Sequence, residues 1–408
     1  MSFSFPKEKI KFLLLENVHP RAVAALKAAG YTDVETEKRA LSDAELLERI
    51  GRVHVLGVRS KSRITPAVLE AGEKLLAVGA FCIGTDGVAL GTASQRGVAV
   101  FNSPYSSTRS VAELTVAAAI MLLRRVPEKN AAAHVGGWVK SPDGCRETRG
   151  KTLGVVGYGR IGSQVSVLAE AMGMRVVFYD VEPKLALGNA RPASSLEELL
   201  SEADVTTLHV PDTPATRGMI GSEQIARMKP GAVLVNYARG MVVDYAAAAE
   251  SLKSGRLGGV AADVFPVEPA SNNESFASPL QGLANALLTP HIGGSTEEAQ
   301  ENIGLDVAGK LVGFLDRGVT LGSVSIPELN LPQQQDAHRL LHIHRNTPGV
   351  LSEINRRLSD LGVNIVGQYL KTNAEVGYVV LDIEKGNTAA ALDAIKSAPH
   401  TIRARSLY

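Results

Sequence analysis

Residues 151–180 read KTLGVVGYGRIGSQVSVLAEAMGMRVVFYD, and no other stretch constrains the fold as tightly. The apolar run 152–156 suits a buried parallel strand. Gly157, Gly159 and Gly162 follow at G-x-G-x-x-G spacing. Residues 161–172 then carry apolar side chains at helical spacing, and a second apolar run, 174–179, ends at Asp180. Each glycine has its own physical task. Gly157 permits the tight strand-to-helix turn, Gly159 lets a pyrophosphate approach the backbone, and Gly162 lets the helix pack close to the strand. The N–H groups and dipole of the helix start face the phosphates. Asp180, 23 residues after Gly157, can accept hydrogen bonds from the adenosine ribose and would repel a 2′-phosphate. The expected cofactor is therefore NAD rather than NADP. The competing explanation, an ordinary βαβ turn, does not account for the acid at the second strand's end.

The rest of the chain accommodates that unit. At 408 residues there is room for two or three domains. Apolar content of 45% and charged content of 21% are ordinary for a globular protein. A net charge of +1 supplies no field favouring nucleic acid or an acidic membrane surface. Cys82 and Cys145 lack metal-ligand spacing, so no metal is expected, and so few thiols suit a reducing compartment. The apolar run 12–15 reads as a strand rather than a leader, and no run is long enough to span a bilayer. The expected location is the cytoplasm.

Strands at 11–15, 34–37, 53–58, 76–81 and 98–101 alternate with helices at 20–29, at 43–50 and after Thr65 and Asp86. This alternation implies a doubly wound parallel sheet without the glycine fingerprint. An alanine-rich helix is expected over 108–133. Strands at 205–209, 232–236, 259–262 and 286–288 follow the fingerprint. A helix from 295 to about 315 is expected to return to the first lobe. The segment PELNLPQQQD, 327–336, reads as a linker with no glycine for a free hinge. Strands at 339–345, 363–371, 377–383 and 401–407 with helices at 348–361 and 388–396 give the order βαββαβ, a ferredoxin-like unit. The expected fold class is α/β, with two doubly wound, Rossmann-like domains and a ferredoxin-like tail. The expected domains are 1–105 with 295–326 for substrate, 106–294 for the dinucleotide, a linker at 327–336, and a regulatory module at 337–408.

Hydride transfer to and from a 2-hydroxy acid needs a cation for the carboxylate, a proton acceptor on the C2 oxygen, and a group that orients that base. Three strand ends supply candidates. Arg239 lies in NYARGMVVD, Glu268 in ADVFPVEP and His291 in LLTPHIGGS. Ligands bind at the carboxyl ends of strands in such sheets, so all three point to one crevice. His291 suits proton transfer near neutral pH, Glu268 would fix its tautomer and raise its pKa, and Arg239 offers a planar fork. The bland explanations are a structural histidine in a Pro-His turn and a solvated loop charge for a glutamate before proline. Their shared position past strand ends favours the chemical one.

The motifs GVVGYGRIG, HVPDTPATRGMI, MKPGAVLVNYARGMVVD, ADVFPVEP and LLTPHIGGST resemble the D-isomer-specific 2-hydroxyacid dehydrogenase family. VRSKS, FCIGTD, NSPYSSTRSVAE and the tail HIHRNTPGVLSEIN resemble its bacterial branch with a C-terminal ACT domain. The resemblance spans 10–408. It implies Arg239, Glu268 and His291 as the catalytic Arg, Glu and His. It implies NAD contacts from Gly157, Gly159, Arg160, Ile161, Gly162 and Asp180, with His209 and Pro211 beside the adenine. Asp263, near the nicotinamide carboxamide, and Ala238 complete the cofactor set.

For the substrate the resemblance implies Arg59, Lys61 and Ser107, with a backbone carboxylate cradle at Ile83 and Gly84. Lys38 and Lys140 are further cations for a dianionic phosphate, each with the alternative of a solvated surface lysine. Lys61 stands where arginine is expected, Ser107 where asparagine is expected, and Tyr237 where a small residue is expected. Trp138 resembles a residue packed across a subunit interface, with the alternative of a core residue at a helix end. His344, Asn346 and Asn364, near the ends of neighbouring expected strands, are implied to bind L-serine where ACT domains pair. Both asparagines are also ordinary turn residues. The implied activity is NAD-dependent oxidation of 3-phospho-D-glycerate to 3-phosphohydroxypyruvate, the first step towards serine, by a homo-oligomer under serine feedback, with 2-oxoglutarate as a second substrate to test. Alternatives are a glyoxylate or hydroxypyruvate reductase, and a non-catalytic NAD-sensing protein like the C-terminal-binding-protein corepressors.

Overall fold

A computed structural model describes residues 5–269, 273–333 and 336–407. It divides into two compact units, Met1–Ser106 with Gln300–Tyr408, and Ser107–Ala299.

The first unit begins with a parallel sheet. Its strands are β1 (Phe12–Leu14), β2 (Val34–Thr36), β3 (Val55–Val58), β4 (Ala77–Ala80) and β5 (Ala99–Asn102), in the order β2-β1-β3-β4-β5. Four of the five strands are buried at every position, as expected of a sheet covered on both faces. The Glu297–Arg317 helix belongs to this unit's core. Ile303, Val307, Leu311 and Phe314 recur at helical spacing and join Phe12, Ala77 and Phe101 in one apolar cluster. Close approach is needed, because a Cβ at Gly79 would come within 2.8 Å of Val307 Cγ1.

The second unit is a seven-stranded parallel sheet of β6 (Thr152–Val156), β7 (Arg175–Tyr179), β8 (Arg191–Pro192), β9 (Val205–Leu208), β10 (Ala232–Asn236), β11 (Leu257–Ala262) and β12 (Ala286–Leu288). The order is β12-β11-β10-β9-β6-β7-β8. The sequence gives no strand signal at β8, which is two residues long and ends the sheet where Pro192 needs no N–H. Strand order reverses between the parallel neighbours β6 and β9, successive strands being added first on one side and then on the other, which leaves a crevice at their C-terminal ends. The helix expected over 108–133 is two helices, Thr108–Leu123 and Val126–His134. Pro127 is the cause. It has no N–H for the carbonyl of Leu123, and its ring would clash there. The chain turns at Arg125, whose φ is +54°.

The tail completes the first unit as an antiparallel sheet of β13 (Ala337–Arg345), β14 (Ile365–Thr372), β15 (Val376–Glu384) and β16 (Thr401–Leu407), ordered β14-β15-β13-β16. Alternation sends Leu340, Val379, Leu381 and Ile383 towards the Val350–Asp360 and Thr388–Lys396 helices. Leu341, Ile343, Tyr378 and Val380 face the other way and join the cluster of the Glu297–Arg317 helix. The sheet also caps that helix. Arg405 donates to Phe314 O at 2.6 Å, Arg339 to Arg317 O at 3.0 Å, and the Tyr378 hydroxyl to Gly318 O at 2.7 Å. These carbonyls lie at the helix's C-terminal end, where acceptors run short of internal partners, although Phe314 O also accepts the Gly318 N–H at 3.0 Å. Residues 327–333 of the expected linker are tied down. Thr320 Oγ1 donates to Pro327 O at 2.7 Å, Arg339 reaches Pro332 O, and Leu331 is buried. Gln334 and Gln335 lie outside the described residues.

Candidate active site

At the β6–β9 crevice the three glycines are distinguished by what a side chain would meet. Gly157 has φ +91°, and a Cβ there would lie 2.7 Å from the His209 carbonyl oxygen. A Cβ at Gly162 would lie 2.2 Å from Gly157 O. At Gly159 a Cβ would meet nothing within 4 Å. Two glycines thus close the loop on the protein, while the third opens it at the start of the Arg160–Ala171 helix, with Ile161 in its first turn. Asp180 Oδ2 accepts the Tyr158 N–H at 2.8 Å, which fixes the carboxylate against the same loop. Tyr158 stacks on Phe178 with ring centres 3.9 Å apart. His209 Nε2 lies 3.0 Å from Thr207 Oγ1, and desolvation holds its pKa down to about 3, so it forms a neutral wall. The Pro211 carbonyl accepts the Thr216 hydroxyl at 2.6 Å. An open glycine, a helix start and a fixed acid at the switch point are what NAD requires of this domain.

Three strand ends bring the catalytic candidates together. His291 Nδ1 lies 2.7 Å from Glu268 Oε2, and the other carboxylate oxygen accepts the Phe265 N–H at 3.0 Å. Arg239 is close enough to influence the titration of both. The hydrogen bond that Glu268 accepts from His291 raises the His291 pKa, against burial and the Arg239 charge, which lower it. Burial pushes the Glu268 carboxyl up, but His291, the Phe265 amide and Arg239 together hold it below the usual range.

The loops themselves are braced. A Cβ at Gly240 would come 2.1 Å from the Phe265 carbonyl carbon, so only glycine lets the Arg239 loop lie on the Glu268 loop. Asn236 Nδ2 donates to Arg239 O and to the Tyr245 hydroxyl, each at 3.0 Å, and that hydroxyl donates to Val264 O at 2.7 Å. Ala238 is buried, and its carbonyl accepts from Arg239 at 2.8 Å. Buried Asp263 accepts the backbone N–H of Ile292 at 2.8 Å and of Gly293 at 2.7 Å, and the Thr289 hydroxyl at 2.6 Å. It thereby clamps the turn in which His291 adopts φ +54°. Sequence reasoning missed the bracing by Asn236, Tyr245 and Thr289. Asn236, the last residue of β10 inside the quoted NYARG motif, was the available signal.

Tyr237 packs among Val111, Val235 and Ala261, where burial pushes its pKa up to about 12. Its bulk fills the cluster behind the site. Ser107 is buried next to Gly294, where a Cβ would come 3.2 Å from Ser107 Oγ. Lys140 and Trp138 are exposed on the loop after the Val126–His134 helix.

In the first unit, Lys38 follows β2, Arg59 and Lys61 follow β3, and Ile83 and Gly84 follow β4. Asn102 Nδ2 donates to Ile83 O at 2.6 Å, and the Cys82 thiol to Gly84 O at 3.0 Å.

The tail corrects one expectation. β13 and β14 are not neighbours, because β15 lies between them and runs antiparallel to both. Asn346 follows the C-terminal end of β13, beside the start of β15, while Asn364 precedes β14, beside the end of β15. The two amides therefore stand at opposite ends of the sheet in one chain. Asn346 donates to Asn373 O and Asn364 to Glu384 Oε1, both at 2.7 Å. His344 is buried, 3.3 Å from His342 between their Nδ1 atoms, and desolvation lowers its pKa.

Comparison with known proteins identifies the family of these domains. Residues 116–293 match the family described as D-isomer specific 2-hydroxyacid dehydrogenase, NAD binding domain, and residues 340–403 match an AHAS small subunit-like ACT domain. The chain is 54% identical over 407 residues to a D-3-phosphoglycerate dehydrogenase of Escherichia coli, covering 99% of each chain. It is 53% identical over 405 residues to one of Haemophilus influenzae, again over 99% of each. A D-lactate dehydrogenase from Aquifex aeolicus, solved with NAD and lactic acid, superposes with TM-score 0.67 at 29% identity over 78% of this chain and 100% of that one. The chain belongs to the D-isomer specific 2-hydroxyacid dehydrogenase family, with that family's NAD-binding domain and a C-terminal ACT domain.

Proposed function

We propose that this chain oxidises 3-phospho-D-glycerate to 3-phosphohydroxypyruvate with NAD, the first step towards serine. The observation that carries the reading is the 2.7 Å contact between His291 Nδ1 and Glu268 Oε2 at the end of a dinucleotide-binding sheet. Bound NAD supplies the hydride acceptor. Glu268 holds the proton on Nδ1, so Nε2 carries the lone pair that takes the proton of the substrate C2 hydroxyl. Arg239 holds the carboxylate and draws charge from the C2 oxygen. Asp180 and the loop from Gly157 to Gly162, with Arg160 and Ile161, hold the dinucleotide. His209 and Pro211 border the adenine, and Ala238 and Asp263 serve the nicotinamide end. Arg59, Lys61, Lys38 and Lys140 answer the substrate's phosphate, with Ser107 and the Ile83–Gly84 backbone at its carboxylate. Saturation kinetics on 3-phospho-D-glycerate, D-glycerate and 2-oxoglutarate, each with NAD and NADP or their reduced forms, test this reading. Turnover of D-glycerate at equal or better kcat/KM would overturn it.

The tail is read as an L-serine sensor in a cytoplasmic homo-oligomer. The strand order supports pairing between copies. β14 is one of the sheet's two edge strands, and Val366 and Leu370 on it are exposed. Two-fold pairing of β14 strands would set the N-terminal end of one against the C-terminal end of the other. Asn364 of one copy would then lie at the sheet end that carries Asn346 of the other. Trp138, exposed with Val135 and Val139, is a second surface for another copy.

A further inference from the structure

Glu16 lies two residues past β1, at the C-terminal edge of the first sheet. It is 7% exposed, although it is a carboxylate in a loop. Its φ is +61° and that of Asn17 is +54°, two consecutive non-glycine residues in the left-handed region. Such conformations persist only where the surroundings hold them, and they concentrate at functional edges.

The surroundings are two cation-bearing loops. Glu16 Oε2 accepts the Lys61 N–H at 3.0 Å and Oε1 accepts the Ser62 N–H at 2.8 Å. The Glu16 carbonyl lies 3.5 Å from the Arg59 guanidinium. On the other side the Glu16 N–H donates to Arg39 O at 3.2 Å and the Asn17 N–H to Glu37 O at 3.1 Å. One dipeptide therefore braces the turn carrying Lys38 and the turn carrying Arg59 and Lys61. Sheet order explains why it can, since β1 lies between β2 and β3. The cations themselves are on the surface side of this brace, with Lys38 and Lys61 exposed.

We propose that Glu16 is a positioning residue for the substrate's anionic end. Its two carboxylate oxygens set the Lys61–Ser62 backbone, and its left-handed turn sets the Lys38 loop, so that the cations meet a phosphomonoester already ordered. This rests on the reading of the substrate as a phosphorylated 2-hydroxy acid. A carboxylate is required because two N–H donors need two acceptors. A glutamine of the same shape has one acceptor and turns an NH₂ towards the second N–H.

The test is Glu16→Gln in the full chain. The expected result is a KM for 3-phospho-D-glycerate raised at least tenfold, with kcat within threefold and NADH affinity within twofold of wild type. Should that variant fail to fold, Asn17→Val keeps the carboxylate but opposes the left-handed turn, since β-branched residues avoid it. The same split between KM and kcat is expected there. An unchanged KM, or a fall in kcat together with weakened NADH binding, would overturn the proposal. Wild-type turnover separates the two ideas. No turnover of 3-phospho-D-glycerate overturns the functional reading and this proposal together, whereas normal wild-type turnover with an unchanged KM in the variant overturns this proposal alone.

Discussion

His291 combines a left-handed backbone, in a turn clamped by Asp263, with a ring held by Glu268. The turn presents the ring, Asp263 keeps the turn, and Glu268 sets the tautomer. His291→Ala should lower kcat by about 10²–10⁴-fold, the usual scale of general acid–base catalysis, with NADH affinity within a few-fold by fluorescence titration. Glu268→Gln removes the largest influence raising the His291 pKa and leaves burial and Arg239, which lower it, against Asp263, which raises it less. The acid limb of the pH–rate profile should therefore move to lower pH, and an unmoved limb would remove Glu268 as the tuning partner. The pair also has a stability window. Glu268's contribution fades as pH falls through its lowered pKa, and that of His291 fades as pH rises through its raised one. Asp180 is assigned to the cofactor instead. Asp180→Ser should weaken NAD and admit NADP, and equal use of both by the wild type would contradict the assignment.

At the scale of elements, the Glu297–Arg317 helix and the tail sheet act as one piece. Arg339 is fully buried and makes a bidentate pair with Asp382, both contacts 2.7 Å, while also reaching the helix's last carbonyl. Arg339→Ala strands a buried carboxylate and should cost about 3–5 kcal/mol, read as a lowered calorimetric transition of the tail. Arg339→Met with Asp382→Leu removes both charges and should recover most of that loss. If the double variant is as unstable as the single one, packing rather than charge explains the effect. Pro127 shows the limits of pattern reading here. Alanine spacing suggested one helix, and the proline inside it was the stronger local signal.

At the scale of the whole molecule, strand order decides how an effector could act. With Asn346 and Asn364 at opposite sheet ends, a small amino acid can meet both only across two copies. L-Serine should inhibit, and Asn346→Ala and Asn364→Ala should each relieve inhibition without changing the uninhibited rate. In a mixed pair one shared site keeps both asparagines and the other loses both, so the co-assembled variants should regain part of the inhibition. Mixed oligomers as insensitive as the parents would show that the two amides do not share a ligand. The size of the effect is limited by serine's differential affinity for two arrangements, typically about 1–3 kcal/mol.

Local and periodic features were legible from the residues alone. The strands β10 and β12, the Thr388–Lys396 helix and β16 fall where hydrophobic periodicity put them. The unequal surroundings of Gly157, Gly159 and Gly162 are those expected when strand, spaced glycines, helix, second strand and terminal acid occur in that order. His291, Glu268 and Arg239 could be named because each sits in its own motif just past a strand. What joins distant segments was not legible. The Glu16 carboxylate on the Lys61 and Ser62 amides, Asp263 under the His291 turn, and the separation of Asn346 from Asn364 by β15 all depend on which strands are neighbours. Strand neighbours are chosen by the packing of whole faces against one another. Periodicity within a segment reports which face is apolar, and only the tertiary structure decides what that face, and the loops at its end, will meet.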